Sequence, residues 1–242
     1  MKYNILIILF VVFMQSGYCQ KFTLPQKNDF SISIGLNYIT SASIQLNPFS
    51  ADIIERNTME DIKGGYSVGF SIKKKLFIED FYVSLSTEYL SIKDKENYET
   101  LSNDTSIINF GVTEELKVIP IEATLIYKLP RFVDNFDIYI GGGAGIYLGD
   151  RIRTLYRYKS ETLEKKIYLN LNVMLGVEYY LSSNVSAYFD MKFREGEYEV
   201  KSRYQTNVIE FEGLPYYFNP DIHSRIYVDG IRFSGGINYY FR

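Results

Sequence analysis

The fold of this chain is decided by the stretch Phe30-Ser31-Ile32-Ser33-Ile34-Gly35-Leu36-Asn37-Tyr38. Large apolar side chains alternate in it with small polar ones. This is the period-2 pattern of a β-strand whose two faces meet different surroundings. Seven further segments of the 242-residue chain repeat the pattern, so the sequence predicts an all-β protein.

The alternating segments have the length of strands that cross an outer membrane at a tilt, about ten residues each. They cover residues 30–38, 65–72, 81–89, 118–128, 136–148, 169–179, 185–194 and 231–241. The fourth segment is the least regular, because Val118 and Ile126 depart from the alternation and Pro120 lacks an N–H group. We therefore expect a β-bulge or a missing ladder bond at the proline.

The connections between these segments are short and long by turns. The short ones span 73–80, 130–135 and 182–184, and the long ones span 41–63, 93–114, 150–166 and 195–226. This arrangement predicts an eight-stranded antiparallel up-and-down transmembrane β-barrel over residues 20–242, with short periplasmic turns and long extracellular loops.

Alternation alone also fits a lipocalin-like soluble barrel, which is apolar inside and polar outside. The polar faces here favour the membrane protein, because many of them carry Ser, Gly and Asn rather than the Lys, Glu and Thr of a water-exposed strand. Glycines in a narrow lumen would let a neighbouring Tyr or Arg lie flat. Aromatic residues at both ends of the apolar faces predict two interfacial girdles. Near the loop ends they are Tyr38, Tyr66 and Tyr89, and at the turn ends they are Phe30, Phe81, Tyr127, Phe136, Tyr179, Tyr239 and Phe241.

Residues 1–19 have the composition of a cleaved secretory signal peptide. An apolar run covers Ile5–Met14, and the small residues Gly17 and Cys19 occupy positions −3 and −1 of a cleavage site. Lipidation of Cys19 is the alternative, which the bulky Tyr18 before it disfavours. With the formal net charge of −3, the sequence offers no basic surface for nucleic acid.

Charged residues on the inward faces predict an ion network that fills the lumen. They are Glu88, Glu122, Glu178, Asp190, Lys192, Arg194 and Arg232. Aligning the third and fourth segments from their turn ends places Glu88 opposite Glu122, and two such carboxylates need a cation between them or a shared proton. Structural ion pairs are favoured over a catalytic acid pair.

Two loops contain candidate binding residues. The third long loop is basic and aromatic, and the last one is too apolar for a flexible linker, so it either packs on the barrel mouth or contacts a partner. The candidates are Arg151, Arg153, Tyr156, Arg157, Tyr158, Tyr216, Tyr217 and Phe218. The only histidine, His223, lies near Asp221 and Ser224 in sequence, but neighbours in sequence do not make a catalytic triad. No catalytic residue, metal site or cofactor is predicted.

The C-terminal pattern Ser234-x-Gly236-x-x-Tyr239-x-Phe241 resembles the assembly signal of outer-membrane barrels, although Arg242 follows the final aromatic residue. The stretches Val118-Ile119-Pro120-Ile121 and 139–145 resemble the PorT-like family of eight-stranded, OmpA-like outer-membrane barrels. This resemblance implies insertion by the barrel assembly machinery of a Gram-negative-type bacterium, and it supplies no catalytic residues.

Three functions remain open at the level of sequence. The favoured one is a non-enzymatic barrel with a plugged polar lumen, whose loops bind an extracellular or envelope protein or support envelope assembly and secretion. Its other partners would be outer-membrane lipid and the assembly machinery. The alternatives are a lipid-modifying enzyme that uses His223 and a narrow solute pore.

Overall fold

A computed structural model describes residues 30–103 and 106–241 and confirms the all-β fold. The predicted signal peptide lies outside the described residues. The elements are β1 (Phe30–Leu46), α1 (Ile53–Arg56), β2 (Met59–Lys75), β3 (Phe81–Ser102), β4 (Ile107–Lys128), β5 (Phe136–Leu155), β6 (Tyr158–Ile167), β7 (Leu169–Tyr180), β8 (Val185–Arg194), β9 (Glu197–Tyr204), β10 (Val208–Phe211), β11 (Leu214–Tyr217), β12 (Asp221–Tyr227) and β13 (Arg232–Phe241).

The strands close into an eight-membered antiparallel ring. At the end with the short turns, the turn end, the order is β1-β2-β3-β4-β5-β7-β8-β13, and β13 pairs back to β1. At the opposite end, the mouth end, β6, β9 and β12 replace β7, β8 and β13, and β12 closes the ring on β1. Three barrel strands are therefore each made of two consecutive segments, which makes the ring irregular.

The predicted long loops are wrong in extent, because most of their residues form strands. The connection 93–114 belongs almost wholly to β3 and β4, which run on to Ser102 and from Ile107. The connection 150–166 forms the end of β5 and most of β6. The connection 195–226 contains β9, β12 and the separate β10–β11 hairpin. The barrel thus continues well beyond the length that a membrane requires.

The outer face of the turn-end half is an apolar belt, which confirms the predicted orientation of the strands. Leu36 is 71% exposed and Leu169 is 74% exposed, whereas their neighbours Asn37 and Asn170 are buried inside. The girdle residues contact one another around the turn end, with ring centroids 5.4 Å apart for Phe30 and Phe241 and 4.8 Å apart for Phe81 and Tyr127. Further exposed members of the belt are Tyr66, Val68, Leu85, Leu171, Val173 and Ile237.

The polarity of the two faces reverses in the mouth-end half. The outward side chains there are mostly polar or charged, among them Asp61, Lys63, Lys93, Glu115, Lys117, Asp150, Glu161, Glu164, Lys201 and Arg203. In β1 the reversal coincides with a slip of the alternation, since Thr40 and Ser41 are both exposed and Ala42 and Ile44 point inward. The lipocalin-like pattern that the sequence offered as an alternative therefore occurs in half of the barrel.

The irregular fourth segment keeps a strict alternation. Val118 and Ile126 are buried on the same inward face as Glu122, so they are apolar members of the lumen rather than exceptions. Pairing of β4 with β3 is interrupted between Ile121 and Val118 without a change of register, as expected beside Pro120. Pairing with β5 is continuous through the proline.

Glycines on the inward face leave room for the tyrosine rings of neighbouring strands, as predicted. A Cβ on Gly176 would overlap the ring of Tyr139, and a Cβ on Gly149 would overlap the ring of Tyr198. No helix among residues 30–103 and 106–241 is long and apolar enough to cross a bilayer.

Candidate functional site

The lumen contains charged clusters that are stacked along the barrel axis. The lower cluster lies near the turn end and is built around Lys128, whose Nζ is 2.9 Å from Glu178 Oε2 and 3.1 Å from Asp137 Oδ2. Arg131 Nε contacts the other oxygen of Asp137 at 2.6 Å, and the hydroxyl of Tyr180 donates to Asp137 at 2.7 Å. Two cations and two carboxylates thus balance each other.

Glu178 was predicted to share one network with the arginines, and the structure places it with Lys128 instead. It accepts a hydrogen bond from Asn238 Nδ2 at 2.5 Å and further ones from Ser186 and Tyr240. Lys128 and Asp137 were not among the predicted network residues. Their inward position on β4 and β5 was readable from the alternation, so the same pattern could have identified them.

The middle cluster contains the other predicted network residues. Arg194 Nη1 is 2.5 Å from Glu88 Oε1, and Lys192 Nζ is 2.5 Å from Glu122 Oε2. Arg232 lies between Asp190 and Glu88, at 3.2 and 3.7 Å. The structure therefore brings these six residues together as ion pairs inside the apolar belt.

The predicted pairing of Glu88 with Glu122 is wrong. Glu122 lies opposite Ser86 in the register of β3 and β4, so the two carboxylates are staggered rather than face to face. Arg194 Nη1 lies between them, 3.9 Å from Glu122 Oε1. The hydroxyl of Tyr147 also donates to Glu122 at 2.7 Å. Repulsion between the carboxylates is thus relieved by cations rather than by a shared proton.

An apolar layer closes the lumen above the middle cluster. It is formed by side chains from most of the barrel strands, nearly all of them fully buried: Ile39, Ala42, Ile44, Ile62, Leu90, Ile92, Leu116, Val118, Tyr147, Tyr198, Val200, Ile226 and Val228. A packed layer of this kind excludes water and contributes about 1.5–3 kcal/mol for each fully buried large aliphatic side chain. It separates the polar lumen from the mouth end.

The upper cluster lies above the apolar layer and is centred on Glu114. Its two oxygens receive Arg151 Nε and Nη2 at 2.9 and 2.7 Å, the paired geometry typical of arginine and carboxylate. Arg153 contacts Glu114 at 2.8 Å, Glu60 at 3.1 Å and Glu99 at 2.5 Å. Burial raises the pKa of the Glu60 carboxyl, and the nearby guanidinium of Arg153 opposes that rise.

Arg151 and Arg153 were predicted to be candidate binding residues of the third long loop, and this placement is wrong. Both belong to β5, where Arg151 is 1% and Arg153 is 3% exposed. The alternation of β5 continues without a break from Tyr139 through Tyr147 to Leu155, which directs both arginines inward. Extending the period-2 pattern past the tenth residue would have revealed this.

The mouth is covered by an apolar cap that includes the β10–β11 hairpin. Its buried members are Leu101, Phe110, Val112, Leu155, Tyr204, Ile209 and Tyr216. Phe218 packs against this cap, so the last connection packs on its own barrel mouth, as one of the two predicted alternatives held. Tyr217, next to the buried Tyr216, is 66% exposed.

An aromatic tip remains at the surface of the mouth end. Arg157 lies over the rings of Tyr156 and Tyr158, 5.8 and 5.3 Å from their centroids, at the β5–β6 turn. Tyr156 also packs edge-on against Phe211 of the hairpin, at 6.1 Å. Of the predicted loop binding residues, Tyr156, Arg157 and Tyr217 are exposed, and Tyr158 and Phe218 are partly buried against the cap.

His223 does not face a nucleophile. It projects outward from β12, with its ring 4.5 Å from Phe49 and Nε2 3.9 Å from Glu199. Burial lowers its pKa. The adjacent Ser224 points to the opposite side of the strand, where its hydroxyl accepts a hydrogen bond from Arg151.

The third residue of the hypothetical triad is also engaged elsewhere. Asp221 Oδ1 accepts from Arg203 Nε at 2.5 Å on the outer face of the barrel. Because neighbouring residues of a strand project to opposite faces, His223 and Ser224 cannot meet without unfolding β12.

The four residues of the C-terminal pattern lie on β13, between β1 and β8. Ser234 is buried in the lumen, and Gly236 makes room for Tyr188. Tyr239 and Phe241 face outward and contact each other at 5.1 Å in the girdle.

No protein-family model matches this sequence, and no curated protein is similar to it. Solved structures are similar in fold. OprG, an outer-membrane protein of Pseudomonas aeruginosa, superposes with a TM-score of 0.61 at 13% identity, over 92% of this chain and 100% of that one. The chain has the outer-membrane β-barrel fold.

Weaker likenesses extend to the protease OmpT of Escherichia coli, with a TM-score of 0.46 at 10% identity over 93% of this chain and 99% of that one. The neisserial surface protein NspA follows with 0.45 at 14% identity, over 88% and 97%. Identities this low indicate the fold alone, and a PorT-like family is not identified. The exposed apolar belt around a closed ring of this fold places the protein in the outer membrane.

Proposed function

We propose that this protein is a non-enzymatic, non-conducting outer-membrane barrel that holds a rigid, capped binding platform above the lipid. The observation that carries the proposal is the reversal of polarity along the barrel. Beyond the apolar belt the ring stays hydrogen-bonded, turns polar outside and fills its interior with apolar side chains and the upper cluster.

The filled lumen supports a plugged barrel over a narrow pore. A permeating ion would have to cross the apolar layer, where Ile39, Leu90 and Leu116 offer no hydrogen-bond partners. Buried polar or charged groups without partners are unfavourable by several kcal/mol in such surroundings. The charged clusters on either side are occupied by their own ion pairs.

The position of His223 supports a non-enzymatic role, since its serine neighbour lies inside the barrel. If the protein were a lipid-modifying enzyme dependent on this histidine, His223→Ala would change the acylation of outer-membrane lipids. We expect identical lipid profiles by mass spectrometry in cells that express the wild type and the variant.

The aromatic tip supports a binding role. A cation over two tyrosine rings, fixed to a packed cap, combines flat apolar surfaces with hydrogen-bond donors, which is suited to sugars and to anionic groups. The rigid ring below it removes the ordering cost that a flexible loop would incur on binding. The binding partner is proposed to be extracellular or part of the envelope. Insertion into the membrane is proposed to use β13 as the signal for the assembly machinery.

Conductance tests the plug. The purified protein in planar bilayers should show no channel steps in symmetric potassium chloride. Well-resolved, reproducible steps from the wild type would contradict a sealed lumen.

Binding tests the platform. Cells that display the protein are exposed to arrays of neutral and sulfated glycans and to lipopolysaccharide. The Tyr156→Ala/Arg157→Ala variant should weaken binding by about tenfold or more. Lys117→Ala, an exposed outward change on the barrel wall, should leave it unchanged. Equal binding by the two variants, or no binding to any of these surfaces, would count against the platform.

A further inference from the structure

The lumen below the middle cluster contains a small, partly open cavity of about 50 Å³. Lys73, Lys192 and Arg232 line it together with the carboxylate of Asp190. Serine hydroxyls and tyrosine rings form part of the wall, and Phe70, Ile126 and Met174 form an apolar part. Since roughly 10–15 Å³ suffices for one water molecule, the cavity has room for a small anion with one or two waters.

Positive charge predominates in the wall of this cavity. Lys73, Lys192 and Arg232 line it together with one carboxylate, that of Asp190. Asp190 is paired with Arg232, and Lys192 is paired with Glu122. An anion in the cavity would therefore lie closer to cations than to carboxylates.

Lys73 is partly exposed and forms no ion pair within the described part of the chain. Its Nζ lies over the rings of Tyr139 and Tyr188, at 5.8 and 5.7 Å from their centroids. Arg232 contributes a free donor to the same cavity, because its buried Nε atom has no hydrogen-bond partner among the described residues. Lys192 uses one of its three N–H groups on Glu122.

We infer that this cavity binds a monovalent anion of halide size between Lys73, Lys192 and Arg232. The ion accepts hydrogen bonds from the free N–H groups of the three cations. It is a structural ligand of the transmembrane half, independent of whatever the extracellular platform binds. A polyatomic anion as large as gluconate does not fit the cavity.

Thermal unfolding in detergent tests the inference, at constant ionic strength with chloride exchanged for gluconate. The unfolding midpoint should rise by about 3–5 °C for each tenfold increase in chloride above the dissociation constant. Lys73→Gln should abolish this dependence. Lys74→Gln is the matched control, since Lys74 is the next residue of β2 and is exposed on the outer face, and it should retain the dependence.

Crystals of the wild type grown in sodium bromide give a readout that does not need the variants to fold. An anomalous peak within the cavity, in contact with Lys73 and Arg232, is the expected result. The inference is overturned if the midpoint is the same in chloride and gluconate, or if the bromide data show no peak there. Either outcome would mean that the carboxylates of the lumen balance these cations without a bound anion.

Discussion

Replacing Glu88 by Gln measures how much the ion pairs of the middle cluster contribute to the stability of the barrel. Glu88 is 4% exposed and accepts hydrogen bonds from Arg194 at 2.5 Å, Asn37 at 2.6 Å and Ser67 at 2.7 Å. Glutamine keeps the shape and removes the charge, so the guanidinium of Arg194 stays buried with only the more distant Glu122 as a counter-charge. Removing one partner of a buried ion pair costs about 3–5 kcal/mol, and we expect Glu88→Gln to destabilise the barrel by that amount.

Urea unfolding measures this loss. The chain contains no Trp, so the transition is followed by circular dichroism and by the shift of the heat-resistant band on gels. Glu96→Gln is the control. It breaks the ion pair of Glu96 with Lys63, whose two side chains are about 70% exposed. Because water screens this pair, it contributes little to stability. A double variant, Glu88→Gln with Arg194→Gln, should recover part of the loss. A Glu88→Gln protein as stable as Glu96→Gln would refute the argument.

Three further changes test other parts of the structure. Gly176→Val should lower the free energy of unfolding by about 1–3 kcal/mol, because the new side chain overlaps the ring of Tyr139; Gly142→Val, whose Cβ would make only ordinary van der Waals contacts, serves as the control in the same urea titration. Glu60→Gln should flatten the pH dependence of stability at the mouth end. Burial raises the pKa of Glu60 from 4.5, so between 4.5 and the raised value the folded state binds more protons and wild-type stability increases as the pH falls; a steeper dependence in the variant would contradict this. Tyr198→Phe should match or exceed wild-type stability, since the buried hydroxyl of Tyr198 has no hydrogen-bond partner in the described part of the chain, and a loss above about 1 kcal/mol would show that the hydroxyl is satisfied.

Period-2 alternation was sufficient to predict the strand number, the antiparallel order and the lipid-facing side. Each apolar face of the turn-end half, such as that of Ile34 and Leu36 in β1, is exposed as expected. The middle cluster was also predictable in membership, because charged residues on an inward face have to find partners. Its pairing was not, since a register between β3 and β4 cannot be counted from strand ends whose turns have unknown geometry.

The upper cluster could not be predicted for a different reason. A strand boundary that is set where the apolar face ends places Glu114 and the two arginines of β5 in loops. In β5 the alternation itself does not stop, but its polarity changes around Gly149: the outward residues now include Asp150 and Thr154, and the inward ones become large. A strand that continues from lipid into water keeps its backbone geometry, but its outward face becomes polar. A pattern defined by apolar outward faces therefore ends at the membrane surface, although the strand does not.

The same boundary explains why the barrel needs two kinds of interior. In the turn-end half, lipid already surrounds the outer face, so apolar burial gives no reason to prefer a closed ring, and paired charges such as Arg194 with Glu88 fix the strands relative to one another. In the mouth-end half, water surrounds the outer face, and side chains such as Ile44 and Val200 gain by being buried in the centre. Each half therefore buries the kind of side chain that its surroundings solvate poorly: charged pairs within the lipid and apolar side chains within the water-exposed part. The apolar layer sits where the outer face leaves the lipid, so the lumen is closed at the level where the two solvents meet.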